Sequence, residues 1–304
     1  MVVDTVLVEA EDVVSLTLAR ADGGVLPRWI PGAHLDVFLP SGRQRQYSLN
    51  GDPGDLSSYR IAVRRIADGG GGSREVHDEI AAGDTLNVRG PRNAFPLIAA
   101  PSYLFIAGGI GITPLLPMAR TTAVGTARWD LVYLGRTRSS LPFLDELESF
   151  AADALETRTD DRCGLPDVAE PLARAEPGAA IYVCGPAPLL DAARELLPDI
   201  NPTASLHLER FSPPPVAGCE AFEVELARSG RTVAVAADES ALAAIRRELP
   251  DVTYSCQQGF CGTCKVRVLA GEVEHRDQRL LPNERADSML ICVSRSAGSL
   301  VIDL

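Results

Sequence analysis

The chain has 304 residues, enough for two or three domains at roughly 100–200 residues each. Its 46% hydrophobic and 23% charged residues are those of a folded globular protein, and a net charge of -12 argues against a nucleic-acid binder, which shows a basic patch. No long apolar run marks a membrane span, and the first twelve residues carry Asp4, Glu9, Glu11 and Asp12 without Lys or Arg, the wrong charge for a targeting segment, so a cytoplasmic protein is expected.

Residues 1–100 read as β structure. The runs VVDTVLVEA, HLDVFLP, RQYSLN, SYRIAVRR and DTLNVRG alternate in polarity and are separated by Gly, Pro, Asp and Ser. Short, evenly spaced strands of this kind predict a closed antiparallel barrel. In the third run, Arg45 and Tyr47 share one face by the period of two. An arginine there can fork onto a phosphate, a tyrosine ring can lie on an aromatic cofactor, and Ser48 can donate to a ring nitrogen. Downstream, GGGGSR at 69–74 opens a helical EVHDEI, and a glycine-rich turn at a helix start offers free N–H groups to phosphate. An exposed arginine and a cross-strand tyrosine would read the same way.

Residues 101–211 alternate strand and helix, which predicts an α/β domain with a parallel sheet. A buried strand at 103–107 enters GGIGITP at 108–114, where Thr113 is the expected N-cap and Pro114 the first helical residue. WDLVYLG and AAIYVCG are further strands, followed by helices near LPFLDELESFAA and APLLDAARELL. The turns Gly108–Pro114 and Cys184-Gly-Pro186 lie at carboxyl ends of strands, where open α/β sheets bind ligands. Neither is a GxGxxG fingerprint, and a tight turn before a helix is the plain alternative.

SPPPVAG at 212–218 reads as a semi-rigid linker. From 219 to 304, AFEVELA and RTVAVAA predict a hairpin, and ESALAAIRREL a helix with Leu242, Ile245 and Leu249 on one face. Of seven cysteines, four have ligand spacing. Cys256, Cys261 and Cys264 form C-x4-C-x2-C, with Cys292 downstream in ICVSRS. This is the plant-type spacing of a [2Fe–2S] cluster. Gly259, Gly262 and Thr263 are small enough to let backbone N–H groups reach the sulfides. A structural zinc is the alternative, although zinc favours paired C-x2–4-C knuckles and here one half is a lone cysteine. Read by itself, Cys292 is a core residue in a buried strand. Cys163, Cys184 and Cys219 fall outside the pattern.

These features in this order resemble the phthalate dioxygenase reductase type, which includes vanillate demethylase reductases. The resemblance covers nearly the whole chain and rests on RQYSL, GGGGS, GPRNAFPL, GGIGITP, CGP, HLERF, the cysteine loop and ICVSRS. It implies a flavin barrel, an α/β nucleotide domain and a β-grasp-like α+β ferredoxin domain. It implies that Arg45, Gln46, Tyr47, Ser48, Ala62, Val63 and Ser73 surround FMN, FAD being the choice of relatives with other domain orders. Gly109, Ile110, Gly111, Thr113, Cys184, Gly185 and Pro186 then meet NADH, or NADPH if Arg136 and Arg138 accept a 2′-phosphate. Glu209 and Phe211 match an acidic–x–aromatic element at the flavin ring. Ser48, Cys184 and Phe211 are the residues expected at the reacting atoms. The implied activity is a reductase feeding a terminal Rieske-type oxygenase, and the lack of a heptad repeat or large apolar stripe in the sequence predicts a monomer. A cytochrome P450 is the other acceptor, and a ferredoxin without nicotinamide activity the other kind of protein. One departure stands out: the family often has YSLCNDP, where this chain has YSLNGDP with Asn50 and Gly51.

Overall fold

The computed structural model describes residues 1–68, 70–212, 216 and 220–304. Gly69, most of the expected linker (213–215, 217 and 218) and Cys219 lie outside the described residues. The chain divides into two compact units, Met1–Phe211 and Ser212–Leu304.

The first unit begins with β1 (Val2–Ala10), β2 (Val13–Ala19), β3 (Ala33–Phe38), β4 (Gln44–Ser48) and β5 (Ser58–Arg64), then helix α1 (Gly72–Glu79) and β6 (Asn87–Asn93). Two antiparallel three-stranded sheets, β1-β2-β5 and β4-β3-β6, are joined by the bridges Leu49↔Ile61 and Val2↔Thr85. Those bridges close the ring, so this is the expected barrel. Its interior is filled by inward residues such as Leu16, Leu18, Leu35, Val37, Leu49 and Ile61, all 0–1% exposed. Burial of each is worth about 1.5–3 kcal/mol. β2 was not among the strands expected from the sequence.

The α/β half follows with β7 (Ser102–Gly108), α2 (Ile112–Ala123), β8 (Arg128–Gly135), α3 (Leu144–Ala151), β9 (Leu155–Thr159), α4 (Asp160–Cys163), α5 (Ala169–Arg174), β10 (Ala180–Cys184), α6 (Ala187–Ile200) and β11 (Ser205–Glu209). The five strands are parallel in the order β11-β10-β7-β8-β9. β7 and β10 are therefore neighbours whose crossovers run to opposite sides. The crevice beyond their carboxyl ends is the topological switch point of the sheet. One face of the sheet buries Phe105, Tyr133 and Tyr182 against Ile112 and Leu116, and Ala62 and Phe95 from the barrel half join that cluster. The opposite face packs Ile106, Val132 and Val183 against Leu190, Ala193 and Leu197.

The barrel and α/β halves are also tied by charge. Arg60 donates from Nε to Asn50 Oδ1 and from Nη1 to Glu146 Oε2, each at 2.8 Å, and its guanidinium lies 4.7 Å from the Phe143 ring centroid. Arg120 also pairs with Glu146. Asn50, the departure from the family pattern, is thus the barrel-side anchor of this bridge.

The second unit holds β12 (Phe222–Leu226), β13 (Arg231–Val235), α7 (Ala241–Glu248), β14 (Lys265–Ala270), β15 (Ser288–Leu290) and β16 (Leu300–Ile302). The sheet order is β13-β12-β16-β14-β15, with β12 and β16 parallel. β12 and β13 form the expected hairpin. Ser240 caps α7 by accepting from the Ala243 N–H, and Leu242 and Ile245 are buried beneath it.

Candidate functional site

The cysteine loop bridges α7 and β14. Three of its residues take left-handed backbone, Gln257 (φ 55°), Gly259 (φ 81°) and Gly262 (φ 77°), which curls the chain around its own sulfurs. A side chain at Gly259 would sit 2.8 Å from Val293 Cγ2 and 3.1 Å from Asp277 Cα, so only glycine fits there. The Gln258 N–H donates to Cys256 Sγ at 3.3 Å and the Thr263 N–H to Cys261 Sγ at 3.4 Å. Cys256, Cys264 and Cys292 are buried, and Cys261 is partly exposed. Cys292 lies in the turn after β15, not in a strand. That turn, closed by the Val293 and Ser294 N–H groups on the Leu290 carbonyl, brings its thiol to the loop.

The thiols of Cys261 and Cys292 hydrogen-bond to the Cys256 sulfur and hold its pKa far below the usual thiol range. Cys292 lowers that of Cys264 in the same way. The four sulfurs thus make a string of contacts, 261–256–292–264, in which the thiolate is favoured at Cys256 and Cys264 and the donating thiols of Cys261 and Cys292 are raised. Among the described residues no three His, Cys, Asp or Glu side chains gather as a single-ion site. A binuclear centre asks for two protein sulfurs per iron, and these residues fit it.

The sequence reading missed the support behind the loop. Asp277 is 6% exposed and accepts from the N–H groups of Arg279 (3.1 Å) and Leu280 (2.8 Å), while the Gln278 N–H reaches Gly259 O at 3.1 Å. Burial would raise the Asp277 pKa, but those N–H groups and Arg285 outweigh it, and the carboxylate is held below its usual range.

In the barrel, Arg45 crosses from β4 to the start of α1. Its Nη2 donates to Gly70 O at 2.8 Å, and a side chain at Gly72 would come within 2.7 Å of its Nε. Gly71 caps the helix at φ 81° with no side-chain cap, leaving the first N–H groups of α1 without a side-chain acceptor. Guanidinium and helix start together have the chemistry to cradle a phosphate. Behind it, Glu75 accepts from Ser41 and Arg43. Burial would raise its pKa, but these donors outweigh it and keep Glu75 ionised. Tyr47 lies close enough to feel both Arg45 and Glu75, and burial pushes its phenol up. Gln46 bonds to Asp36 at 3.0 Å, Ser48 is 7% exposed, and Ser73 Oγ accepts from the Ile66 N–H. Ala62 and Val63 line β5 and are buried.

At the switch point the two glycine turns touch through their backbones. A side chain at Gly111 would lie 2.1 Å from Cys184 O, one at Gly108 2.6 Å from Pro186 Cδ, and one at Gly185 3.0 Å from Gly108 Cα. Gly109 (φ 55°) faces open space. Thr113 is not the N-cap. Gly109–Gly111 already turn as a 3-10 helix, so α2 starts at Ile112 with Gly111 as its cap, and Thr113 Oγ1 donates to Ile110 O at 3.0 Å.

Cys184 pairs in register with Glu209 on β11. The Cys184 thiol is raised well above its usual value by burial and then by Glu209. Burial also lifts the Glu209 carboxyl to about 8, and its Oε2 has no hydrogen-bond partner. An orphaned buried oxygen beside an open turn fits a ligand site. Phe211, two residues on, is 46% exposed. Ala62 shares a hydrophobic cluster with Cys184, and Ile110 packs on it, so the barrel edge meets the glycine turn. Among the described residues no hydrogen bond joins Ser48 to the Cys184–Glu209 pair. Arg138 is already paired with Glu148 at 2.6 Å, and Arg136 is exposed.

A family model described as a 2Fe-2S iron-sulfur cluster binding domain matches residues 224–297. The chain is 40% identical to a putative toluene-4-sulfonate monooxygenase system reductase subunit of Comamonas testosteroni, over 97% of this chain and 95% of that one. It is 37% identical to phthalate dioxygenase reductase of Burkholderia cepacia, over 97% and 94%. Among solved structures, a phthalate dioxygenase reductase described as a modular structure for electron transfer from pyridine nucleotides to [2Fe–2S] matches with TM-score 0.76 and 35% identity, over 100% of this chain and 97% of that one. An intact type IV self-sufficient cytochrome P450 monooxygenase matches with TM-score 0.79 and 39% identity. This chain covers 40% of that one and is itself covered in full.

Proposed function

The chain belongs to the phthalate dioxygenase reductase family, and from that premise we propose how its own residues carry out the family's electron transfer. The protein is an NAD(P)H-dependent oxidoreductase, the reductase component of an oxygenase system, with FMN and a [2Fe–2S] cluster as cofactors and NADH as donor. When bound, the flavin supplies the conversion of a hydride into two single electrons, because the cluster takes only one at a time.

In our reading, residues 1–100 hold the flavin, 101–211 the nicotinamide nucleotide and 219–304 the cluster, with 212–218 as linker. Arg45 and the N–H groups at the start of α1, with Ser73, hold the flavin phosphate. Tyr47 lies on the ring, Ser48 donates to its reacting edge, and Gln46, Ala62 and Val63 border it. Gly109, Ile110, Gly111 and Thr113 from one turn and Cys184, Gly185 and Pro186 from the other bind the nucleotide at the switch point. Glu209 stays neutral at pH 7 and keeps a proton on its carboxyl beside Cys184. Phe211, exposed just beyond the end of β11, would cover the flavin ring. Cys256, Cys261, Cys264 and Cys292 ligate the iron. Arg138 is held by Glu148, which favours NADH over a nucleotide with a 2′-phosphate.

The observation that carries this reading is the coincidence in one chain of a phosphate cradle, a switch-point crevice with an orphaned carboxyl, and a four-sulfur string. The acceptor is a terminal oxygenase component. We propose a Rieske-type partner, a monomeric reductase and a cytoplasmic location; among the described residues no helix is long and apolar enough to cross a membrane. The fused P450 chain that contains a full-length match favours a cytochrome P450 as the second reading. The test is a visible spectrum of the purified holoprotein before and after NADH is added without air. Flavin and cluster absorption should both bleach. Absorption that survives both NADH and NADPH would refute the reading.

A further inference from the structure

We propose that Arg279 is the docking cation for the electron acceptor, set at the edge of the cysteine loop that reaches solvent, and that it fits an acidic patch on the partner oxygenase. The inference rests on the reading above, in which electrons leave through the cysteine loop. Three of the four ligand cysteines are 3–5% exposed, and Cys261 is the one that is partly open. Electrons therefore have their shortest way out on the Cys261 side. Gly262, the next residue, has no side chain to cover that side. Arg279 lies over it, with Cγ 3.5 Å and Nε 3.9 Å from where a Gly262 Cβ would be. The backbone of Arg279 is fixed from below by the Asp277 carboxylate.

The charge pattern singles this residue out. Around the loop, Lys265 is paired with Glu284 at 2.7 Å, Arg276 with Glu274 at 2.7 Å and Arg285 with Asp277 at 3.7 Å. Arg279 is exposed and makes no salt bridge among the described residues, although the Glu284 carboxylate, already bonded to Lys265, feels its charge. Leu281, 57% exposed, adds an apolar contact two residues on. A guanidinium is weakly hydrated and matches carboxylates in a planar fork, so one that is exposed and outside a salt bridge is suited to an acidic surface. A chain of net charge -12 repels an acidic partner in general. A cation outside any salt bridge among the described residues, set beside the exit, then selects the orientation that brings that partner to Cys261.

The test uses the holoprotein and two small electron acceptors of opposite surface charge, acidic plastocyanin and basic cytochrome c. Arg279→Glu should slow NADH-driven reduction of plastocyanin about five- to ten-fold at low salt, the size expected for reversing one exposed charge. The same variant should speed reduction of cytochrome c. Both effects should fade by about 0.5 M salt as screening shortens to a few ångströms, and Arg279→Lys should stay near wild type. The EPR signal of the cluster and its bleaching by NADH should be unchanged. Rates that move in the same direction for both acceptors, or in neither, overturn the proposal. If the wild-type protein bleaches with NADH yet reduces neither acceptor, the exit through the cysteine loop falls while the electron-chain reading stands; a protein that does not bleach fails that reading instead.

Discussion

Glu209 ends β11 with one carboxyl oxygen buried and unpartnered, and desolvation alone raises its pKa from 4.5 to about 8. Removing an acid from water disfavours its charged form, so the folded protein holds this proton over a range where the unfolded chain has lost it. The sign follows from linkage. Below the unfolded pKa the group is neutral in both states and carries no penalty. As pH rises from there to about 8, the unfolded state gains from ionising and the fold loses stability, and above about 8 the loss levels off. In flavin-free protein, Glu209→Gln should therefore flatten the decline of Tm between pH 5 and 8, most visibly near pH 8. Identical Tm profiles for the two proteins would mean that the carboxyl is solvated after all. In the proposed mechanism the same residue holds a proton beside Cys184 in the holoprotein, so the variant separates a property of burial from a property of turnover.

At the scale of elements, what matters is how closely two βα turns approach. Gly111 has ordinary helical backbone, φ -62°, so alanine would be conformationally easy there. Its Cβ would nonetheless land 2.1 Å from the Cys184 carbonyl oxygen, and backbone cannot swing aside as a long side chain can. Gly111→Ala should cost about 1–3 kcal/mol as overpacking and weaken NADH binding, read as a raised KM with a lowered Tm. Gly109→Ala meets nothing within 4 Å and pays only for its φ of 55°, roughly 1–2 kcal/mol. If the Gly109 variant proves the more damaging to Tm, the close approach is not what the glycines serve. The sequence marked both turns, because glycine clusters after apolar strands are visible one residue at a time. It placed the helix cap at Thr113, because a 3-10 turn running straight into α2 has no composition of its own. β2 (VVSLTLA) alternates as well as its neighbours, and β9, β11 and β16 are short strands defined by their partners in the sheet. The Asn50–Arg60–Glu146 bridge joins positions up to 96 apart in the chain, and Asp277 reaches the cysteine loop from a turn with no motif. Contacts of that kind belong to the tertiary structure, and local pattern carries no trace of them.

For the whole molecule, the division at Phe211 and Ser212 makes the cluster unit a separate folding problem. Its core is the set around Phe222, Val224, Leu242, Ile245, Met289 and Ile302, and that set includes Cys264 and Cys292. Two of the proposed ligands are thus also core residues, and metal binding adds directly to folding free energy where the site exists only in the folded state. The Met1–Phe211 unit has cores of its own. Cys264→Ser should lose the cluster and lower the melting temperature of one calorimetric transition while leaving the other in place. Reduction of the flavin by NADH, followed by stopped flow, should continue at close to the wild-type rate, since the phosphate cradle and the switch-point crevice both lie in the first unit. Electron delivery to any protein acceptor should stop. A single merged transition, or loss of flavin reduction along with the cluster, would mean that the first unit depends on the second for its fold.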